Sequence, residues 1–186
     1  MTRIIAGAAR GRRLAVPPRG TRPTSDRVRE AVFSALVARL DFDDLAVLDL
    51  YAGSGALGLE ALSRGAARTV LVDHDAKAAA IAKDNARTVG LSGATVRRGS
   101  AGSYLGGTPE PFDLVFLDPP YDVPAATVDA DLAALTRGWL NPDAYVVLER
   151  SARTPSATWP DGLEPVMNRD YGETRIEMAV WQDLPA

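Results

Sequence analysis

The sequence DLYAGSGALG, residues 49–58, links a strand-like run to a helix-like run through a glycine-rich turn. Its glycines have the spacing G-x-G-x-x-G, which lets the chain turn tightly and lets a ligand approach the backbone closely. Asp73 follows Gly53 by about 20 residues, at the end of the next apolar run, where an acidic residue typically binds the ribose of a nucleotide. The pattern therefore predicts a strand–turn–helix unit that binds a nucleoside-containing cofactor.

Asp49 separates the two classes of cofactor that such a turn can hold. A dinucleotide places its pyrophosphate at the helix N-terminus, where free N–H groups and the helix dipole favour anions. A carboxylate beside that turn repels phosphate, whereas it suits a ligand that carries an amino group and a sulfonium. S-adenosylmethionine has both groups, has no phosphate, and has a ribose for Asp73. The turn therefore favours S-adenosylmethionine over NAD, and a nucleotide-dependent oxidoreductase remains an alternative.

Strand-like and helix-like runs alternate along most of the chain, as in parallel α/β proteins. The predicted strands are Ala46–Leu50, Thr69–Asp73, Ala94–Arg97, Phe112–Leu117 and Ala144–Glu149, with a terminal hairpin of Glu164–Tyr171 and Thr174–Trp181. The predicted helices run from Thr24 or Ser25 to near Leu40, from the glycine turn to about Ser63, from Ala76 to about Val89, and over Ala125–Arg137. This order predicts right-handed crossovers and a Rossmann-like, mostly parallel, doubly wound sheet with a C-terminal antiparallel hairpin. The expected division is a basic arm or hairpin at residues 1–24 and a Rossmann-like methyltransferase domain at residues 25–186.

Length and composition exclude several classes of protein. The 186 residues, of which 46% are hydrophobic and 24% charged, fit one globular domain and not a disordered chain. No apolar run approaches the roughly 20 residues that span a bilayer. Because the chain has no cysteine and a single histidine, thiolate or multi-histidine metal sites have few ligands available. We expect a cytoplasmic monomer that uses neither a metal nor a membrane.

The N-terminal segment is strongly basic. Residues 1–30 contain eight arginines and two acidic residues, which gives a net charge of +6. The remaining residues carry a net charge of −9, so the whole chain has a net charge of −3. Arginine pairs with phosphate and stacks on bases, so a basic arm on an acidic body indicates a local surface for nucleic acid. The predicted RNA contacts are Arg10, Arg12, Arg13, Arg22, Arg27 and Arg29. A solvated, partly mobile N-terminus is the alternative reading of the same charge pattern.

A second motif, Asp118-Pro119-Pro120-Tyr121, ends the fourth predicted strand. An exocyclic amino group of a base is a poor nucleophile, so its methylation needs acceptors that hold the N–H bonds and aim the lone pair. The Asp118 carboxylate and the Pro119 carbonyl can be those acceptors on a backbone that Pro120 stiffens. Tyr121 can stack on a base rotated out of its helix. Because ligands bind at the carboxyl ends of parallel strands, this motif and the glycine turn are predicted to share one site.

The order of these motifs is similar to that of Rossmann-type amino-methyltransferases that use S-adenosylmethionine. More narrowly, RIIAG at residues 3–7, RGR at 10–12, RPT at 22–24 and DRVREAVF at 26–33 resemble the RsmD family. Members of that family are bacterial 16S rRNA guanine-N2 methyltransferases, and the resemblance covers essentially the whole chain. It implies 16S rRNA as the partner, in a small ribosomal subunit or an assembly intermediate.

The resemblance also implies roles for individual residues. The implied catalytic loop is Asp118–Tyr121, and the implied cofactor contacts are Asp49, Tyr51, Ala52, Gly53, Ser54, Gly55, Asp73, His74, Ser100 and Ala101. Where these enzymes usually carry an Asp near the adenine amino group, this chain has Gly99-Ser100-Ala101, so Ser100 or a backbone N–H would serve the adenine instead. His74 either lies over the adenine or is an exposed loop residue.

The sequence leaves two alternative functions open. Asp-Pro-Pro-Tyr also occurs in adenine-N6 methyltransferases, so the target can be adenine in DNA or RNA. The second alternative is an RNA-binding assembly factor that kept the fold and lost catalysis, although an intact Asp118–Tyr121 motif argues against it.

Overall fold

A seven-stranded sheet forms the centre of the protein. The computed structural model describes residues 2–18 and 24–183. The strands are β1 Thr2–Arg3, β2 Arg13–Leu14, β3 Ala46–Leu50, β4 Arg68–Asp73, β5 Ala94–Arg98, β6 Phe112–Leu117, β7 Leu140–Ser151, β8 Leu163–Tyr171 and β9 Thr174–Trp181. The helices are α1 Asp26–Val37, α2 Ala56–Ser63, α3 Ala76–Val89, α4 Ala101–Leu105 and α5 Ala125–Leu135. Strands β5, β4, β3, β6 and β7 pair in parallel, and β9 and β8 add an antiparallel edge. The predicted Rossmann-like fold with its C-terminal hairpin is therefore confirmed.

Apolar residues cover both faces of the central strands. In β3, Val47 packs with Phe33 and Leu36 of α1 on one face, and Leu48 packs with Leu132 of α5 on the other. All five side chains are fully buried. Because both faces are covered, β3 reads in the sequence as a continuous apolar run instead of an alternating one. Asp49 is the polar exception within this strand.

The N-terminal hairpin packs against the domain. Strands β1 and β2 pair antiparallel, and Ile4 and Leu14 are buried against Leu59 of α2 and Val89 of α3. The buried carboxylate of Glu60 accepts hydrogen bonds from the backbone N–H groups of Ile5, at 2.8 Å, and Ala6, at 3.0 Å. On the other side, Asn85 accepts from the N–H of Ala15 at 2.9 Å and donates to the carbonyl of Ser54 in the glycine turn. The hairpin is therefore joined to the same turn that forms the site.

Several boundaries differ from those predicted. Helix α1 ends at Val37 and α5 at Leu135, both earlier than expected. Strand β7 is longer, because its start pairs with β6 across a register shift that Asn141-Pro142-Asp143 accommodates. The sequence analysis predicts no helix where the short helix α4 lies; Gly102 is a weak helix former within its five residues. Among the residues described, each helix is too short or too polar to traverse a bilayer.

We expect Glu60→Ala to destabilise the protein by about 2–4 kcal/mol, because it leaves two backbone N–H groups of the hairpin without an acceptor. Urea unfolding measures the change. Glu30→Ala, on the exposed side of α1, is the matched control and should change stability by no more than about 0.5 kcal/mol. If both variants unfold at the same urea concentration as the wild type, Glu60 does not hold the hairpin.

Candidate active site

A cavity of about 500 Å³ opens at the carboxyl edge of the sheet, between the ends of β3 and β6. The glycine turn forms one wall, through Asp49 and the segment Tyr51–Ser54. Asp118–Asp122 forms the opposite wall, and Glu149 and Thr24 also line the cavity. The structure therefore brings the two sequence motifs together in one site.

The glycine turn has a backbone that few other residues could adopt. Gly53 has φ +55°, and a Cβ there would project into open space, so the backbone is free for a ligand to approach. Gly58 serves packing instead, because a Cβ at this position would lie 2.4 Å from Leu71 Cδ2 and 2.6 Å from Thr69 Oγ1. Tyr51 also has a positive φ, of 60°, and its hydroxyl donates to Asp131 of α5 at 2.5 Å. That hydrogen bond ties the turn to the helix after the second motif.

Asp49 is a buried carboxylate with one unpaired oxygen. Its exposed fraction is 1%, and its Oδ2 accepts a hydrogen bond from the N–H of Gly58 at 3.0 Å. Its Oδ1 has no hydrogen-bond partner among the described residues. Burial raises the pKa of Asp49 to about 7, with a further contribution from the negative charge of Asp73, although the Gly58 hydrogen bond opposes the rise. A buried, unpaired acceptor in the cavity wall fits a cationic ligand such as an amino group.

Asp73 lies beside the turn and not in the cavity wall. Its Oδ2 accepts from the N–H of Gly53 at 2.8 Å, and its Oδ1 accepts from the N–H of Asp75 at 2.9 Å. His74, which follows it, is exposed over 69% of its side chain. These residues end β4, next to β3 on the side away from β6.

Three more of the predicted cofactor residues lie outside the cavity wall. Gly55 is buried as the N-cap of α2, and Ala101 is buried in α4. Ser100 is exposed and caps α4 by accepting from the N–H of Ser103 at 3.0 Å. Of the ten residues predicted to contact the cofactor, the cavity wall contains Asp49, Tyr51, Ala52, Gly53 and Ser54.

Arg150 forms hydrogen bonds to the backbone of the loop that begins with Asp118–Tyr121. Its buried guanidinium, on β7, donates to the carbonyl of Pro120 at 3.3 Å and to the carbonyl of Val123 at 2.9 Å. Pro119 is buried, whereas Tyr121 is 44% exposed at the rim of the cavity. An aromatic side chain left exposed beside a polar cavity is available to stack on a planar ligand.

Thr24 and Glu149 are site residues that the sequence reasoning missed. The hydroxyl oxygen of Thr24 lies 3.0 Å from Oδ2 of Asp118 and 2.6 Å from Oε2 of Glu149. Burial raises the pKa of Asp118 well above its usual range, and the charge of Glu149 raises it further. Burial also raises the pKa of Glu149. Since the hydroxyl has one proton to donate, it satisfies both carboxyl groups only when one of them is protonated and donates to it.

A signal for Glu149 was present in the sequence. It ends the predicted strand Ala144–Glu149, and carboxyl ends of parallel strands are where ligand-binding side chains gather. Thr24 also had a signal, since it ends the RPT motif at residues 22–24, which could close over the cofactor instead of contacting RNA; its contacts with Asp118 and Glu149 could not be read from the sequence.

The predicted RNA-binding arginines occupy different environments. Four of them, Arg10, Arg12, Arg13 and Arg27, are exposed. Arg12 also donates a hydrogen bond to the carbonyl of Thr88, at 2.8 Å, near the end of α3. Arg22 lies outside the described residues.

Arg29, one of the predicted RNA contacts, lies in the protein interior and in the cavity lining, not on the exposed N-terminal surface. Arg29 is fully buried, and its guanidinium donates to Thr2 Oγ1 at 3.0 Å, to Asp26 at 3.1 Å and to the Arg3 carbonyl. It therefore joins α1 to β1. Within the described part of the chain, no cluster of three or more side chains could hold a metal ion.

The sheet order and the paired loops at its carboxyl edge are those of a class I, Rossmann-like methyltransferase fold. The magnesium protoporphyrin IX methyltransferase of Synechocystis, solved with bound S-adenosylmethionine, has this fold with a TM-score of 0.65 at 19% identity, over 84% of this chain and 79% of that one. The solved structure of the Escherichia coli protein yhhF is much more similar. It superposes with a TM-score of 0.87 at 33% identity and covers 98% of this chain and 99% of that one.

Sequence comparison agrees with the structural one. The model of the family described as "Conserved hypothetical protein 95" matches residues 2–180. The Escherichia coli protein named Ribosomal RNA small subunit methyltransferase D is 39% identical over 159 residues, which cover 85% of this chain and 79% of the relative. The chain belongs to this family, the RsmD family.

We expect Arg150→Ala to lower the free energy of unfolding by about 1–3 kcal/mol, because the carbonyls of Pro120 and Val123 lose their donor. Arg150→Lys keeps the charge but loses the planar fork, so its loss should be smaller. Urea unfolding compares them with Arg137→Ala, an exposed control. Wild-type stability of Arg150→Ala would mean that other contacts hold the loop.

Proposed function

We propose that this protein transfers a methyl group from S-adenosylmethionine to the exocyclic N2 of a guanine in small-subunit rRNA. The observation that carries the proposal is the shared cavity, in which the unpaired oxygen of Asp49 and the Asp118–Tyr121 loop form opposite walls. The name of the Escherichia coli relative supports a ribosomal RNA substrate in the small subunit.

The cofactor-binding residues follow from the chemistry of the cavity wall. Asp49 would bind the amino group of the cofactor, and the open backbone at Gly53 would admit its adenosine. Asp73 would accept from the ribose hydroxyls, with His74, Ser100 and Ala101 farther along the edge on the adenine side. When bound, S-adenosylmethionine supplies an electrophilic methyl group on a positively charged sulfur.

The second wall would prepare the base. Asp118 and the Pro119 carbonyl would accept the N–H bonds of the target amine, so that its lone pair points into the cavity. As positive charge develops on the nitrogen, the Asp118 carboxylate stabilises it and takes up the proton that the amine loses. Tyr121 at the rim would stack on the flipped base. Positioning and electrostatics therefore account for catalysis without a covalent enzyme intermediate.

The exposed arginines would dock the RNA. Arg10, Arg13 and Arg27 lie on the surface, with Arg12 and Arg22 as further members of the proposed contact set. Because the rest of the chain is acidic, phosphate binding would be confined to this N-terminal surface, which the hairpin contacts hold beside the glycine turn.

Binding of the cofactor should depend on pH through Asp49. The pKa of Asp49 is about 7 in the free protein, and a bound cation favours its ionised form. The affinity for S-adenosylhomocysteine, which carries the same amino group, should therefore rise as the pH increases from about 6 and level off above about 8. Asp49→Asn should bind about tenfold more weakly at pH 8 and lose this pH dependence. Isothermal titration calorimetry between pH 5.5 and 8.5 measures both effects. If Asp49→Asn shows the same pH dependence of affinity as the wild type, that dependence comes from another group.

Tyr121→Ala should lower turnover by roughly 10- to 100-fold and change the affinity for S-adenosylhomocysteine less than twofold, because the proposed partner of the ring is the base. Tyr121→Phe keeps the stacking face and is the matched control, with activity near that of the wild type. Single-turnover methyl transfer and calorimetry separate the two quantities. Equal losses of cofactor affinity and turnover in Tyr121→Ala would place the ring against the cofactor instead.

Nucleoside mass spectrometry of rRNA tests the proposed function directly. Cells that lack the protein should lose one N2-methylguanosine from small-subunit rRNA, and the wild-type gene should restore it. Asp118→Ala should not restore it, although the variant should still bind S-adenosylhomocysteine. Loss of a methylated adenine would favour the adenine-N6 methyltransferase. Restoration of N2-methylguanosine by Asp118→Ala would favour the non-catalytic assembly factor.

A further inference from the structure

Glu149 is a buried carboxylate that the chemistry above does not use. It lies near the end of β7, the strand next to β6, and is 7% exposed in the wall of the cavity. Oε2 of Glu149 and Oδ2 of Asp118 both lie within hydrogen-bond distance of the Thr24 hydroxyl. The two carboxyl groups are therefore close neighbours. Two carboxyl groups thus face the place where the target amine would lie.

Among the described residues, no salt bridge joins Asp118 or Glu149 to a basic side chain. The charge of Arg150 lowers the pKa of Asp118 without outweighing burial, and its hydrogen bonds go to loop carbonyls. Two neighbouring carboxyl groups that share a single hydroxyl partner are unfavourable in a protein interior, and carboxyl groups of this kind are concentrated at functional sites. The two carboxyl groups of Asp118 and Glu149 therefore favour a ligand that carries more than one hydrogen-bond donor.

Guanine and adenine differ in this respect. On the Watson–Crick edge of guanine, the N2 amine and the N1–H group are adjacent donors. On the corresponding edge of adenine, the N6 amine lies beside N1, which is an acceptor. Ionised carboxylates only accept hydrogen bonds, so a second carboxylate beside Asp118 matches guanine and opposes the lone pair of adenine N1.

We propose that Glu149 accepts a hydrogen bond from N1–H of the target guanine while Asp118 holds the N2 amine, and that this pair selects guanine over adenine. The inference rests on the proposed function, because it assumes that a guanine enters beside Asp118. In the free protein, one shared proton and the Thr24 hydroxyl satisfy the two carboxyl groups. When guanine binds, its own N–H groups take over that role: the shared proton is released to solvent, both carboxylates are ionised, and the Thr24 hydroxyl donates to one of them.

The analogue 2,6-diaminopurine tests the inference, because it keeps the 2-amino group of guanine but has an unprotonated N1. The substrate is a small ribosomal RNA fragment containing the guanosine that the nucleoside analysis identifies, synthesised with either base at that position. Wild-type protein should prefer guanine by about 100-fold or more in kcat/KM, since a site built to accept a hydrogen bond rejects an analogue that lacks the donor. In Glu149→Gln, the amide can donate to N1 of the analogue, so the preference should fall below about tenfold.

The matched control is Glu177→Gln, a buried glutamate on β9 that accepts from the N–H of Ala157 and does not line the cavity. It should keep the wild-type preference. Thermal unfolding and S-adenosylhomocysteine affinity check that each variant folds, and the wild-type comparison of the two bases requires no variant at all. Equal rates on both bases, or an unchanged preference in Glu149→Gln, would overturn the role of Glu149 and leave guanine methylation intact. If the wild type transfers no methyl group to N2 of guanine, the proposed function fails, and the inference fails with it.

Discussion

The parallel pairing of β3 with β6 is the constraint on which the site depends. Leu50 lies opposite Leu117 at the carboxyl ends of these strands, so the loops that follow must begin side by side. Sixty-six residues of chain separate these two partners, yet the sheet register brings the glycine turn and Asp118 to one cavity. Strand β7 then pairs with β6, with Leu148 opposite Leu117, and this register places Glu149 beside Asp118. Register in the sheet thus arranges three separate segments of the chain around one space.

The cavity lining combines acidic residues, among them Asp49, Asp118 and Glu149, with the buried Arg29. Burial raises the pKa of each of these three carboxyl groups. A cationic cofactor and an amine with N–H donors are the kinds of ligand that relieve such an arrangement. Ligand affinity and the protonation of these groups are therefore linked.

The N-terminal hairpin is part of this arrangement. Glu60 and Asn85 accept its backbone N–H groups, and Asn85 also donates to the glycine turn. Thr24, just before α1, contacts both Asp118 and Glu149. The proposed RNA surface on the hairpin is thus connected to the glycine-turn wall of the site through the hydrogen bonds of Asn85.

The sequence by itself determined the alternation of strands and helices, the glycine turn and the Asp118–Tyr121 loop, because these features depend on local patterns of apolar residues, glycine and proline. It also predicted Asp49 as a carboxylate suited to a cationic cofactor, since its place at the end of a strand beside the glycine turn can be read locally. Only the tertiary structure decided that Arg29 is buried against β1 and that Thr24 contacts both Asp118 and Glu149. These outcomes depend on contacts between residues that are far apart in the chain, and the packing and register that create such contacts leave no local pattern to read.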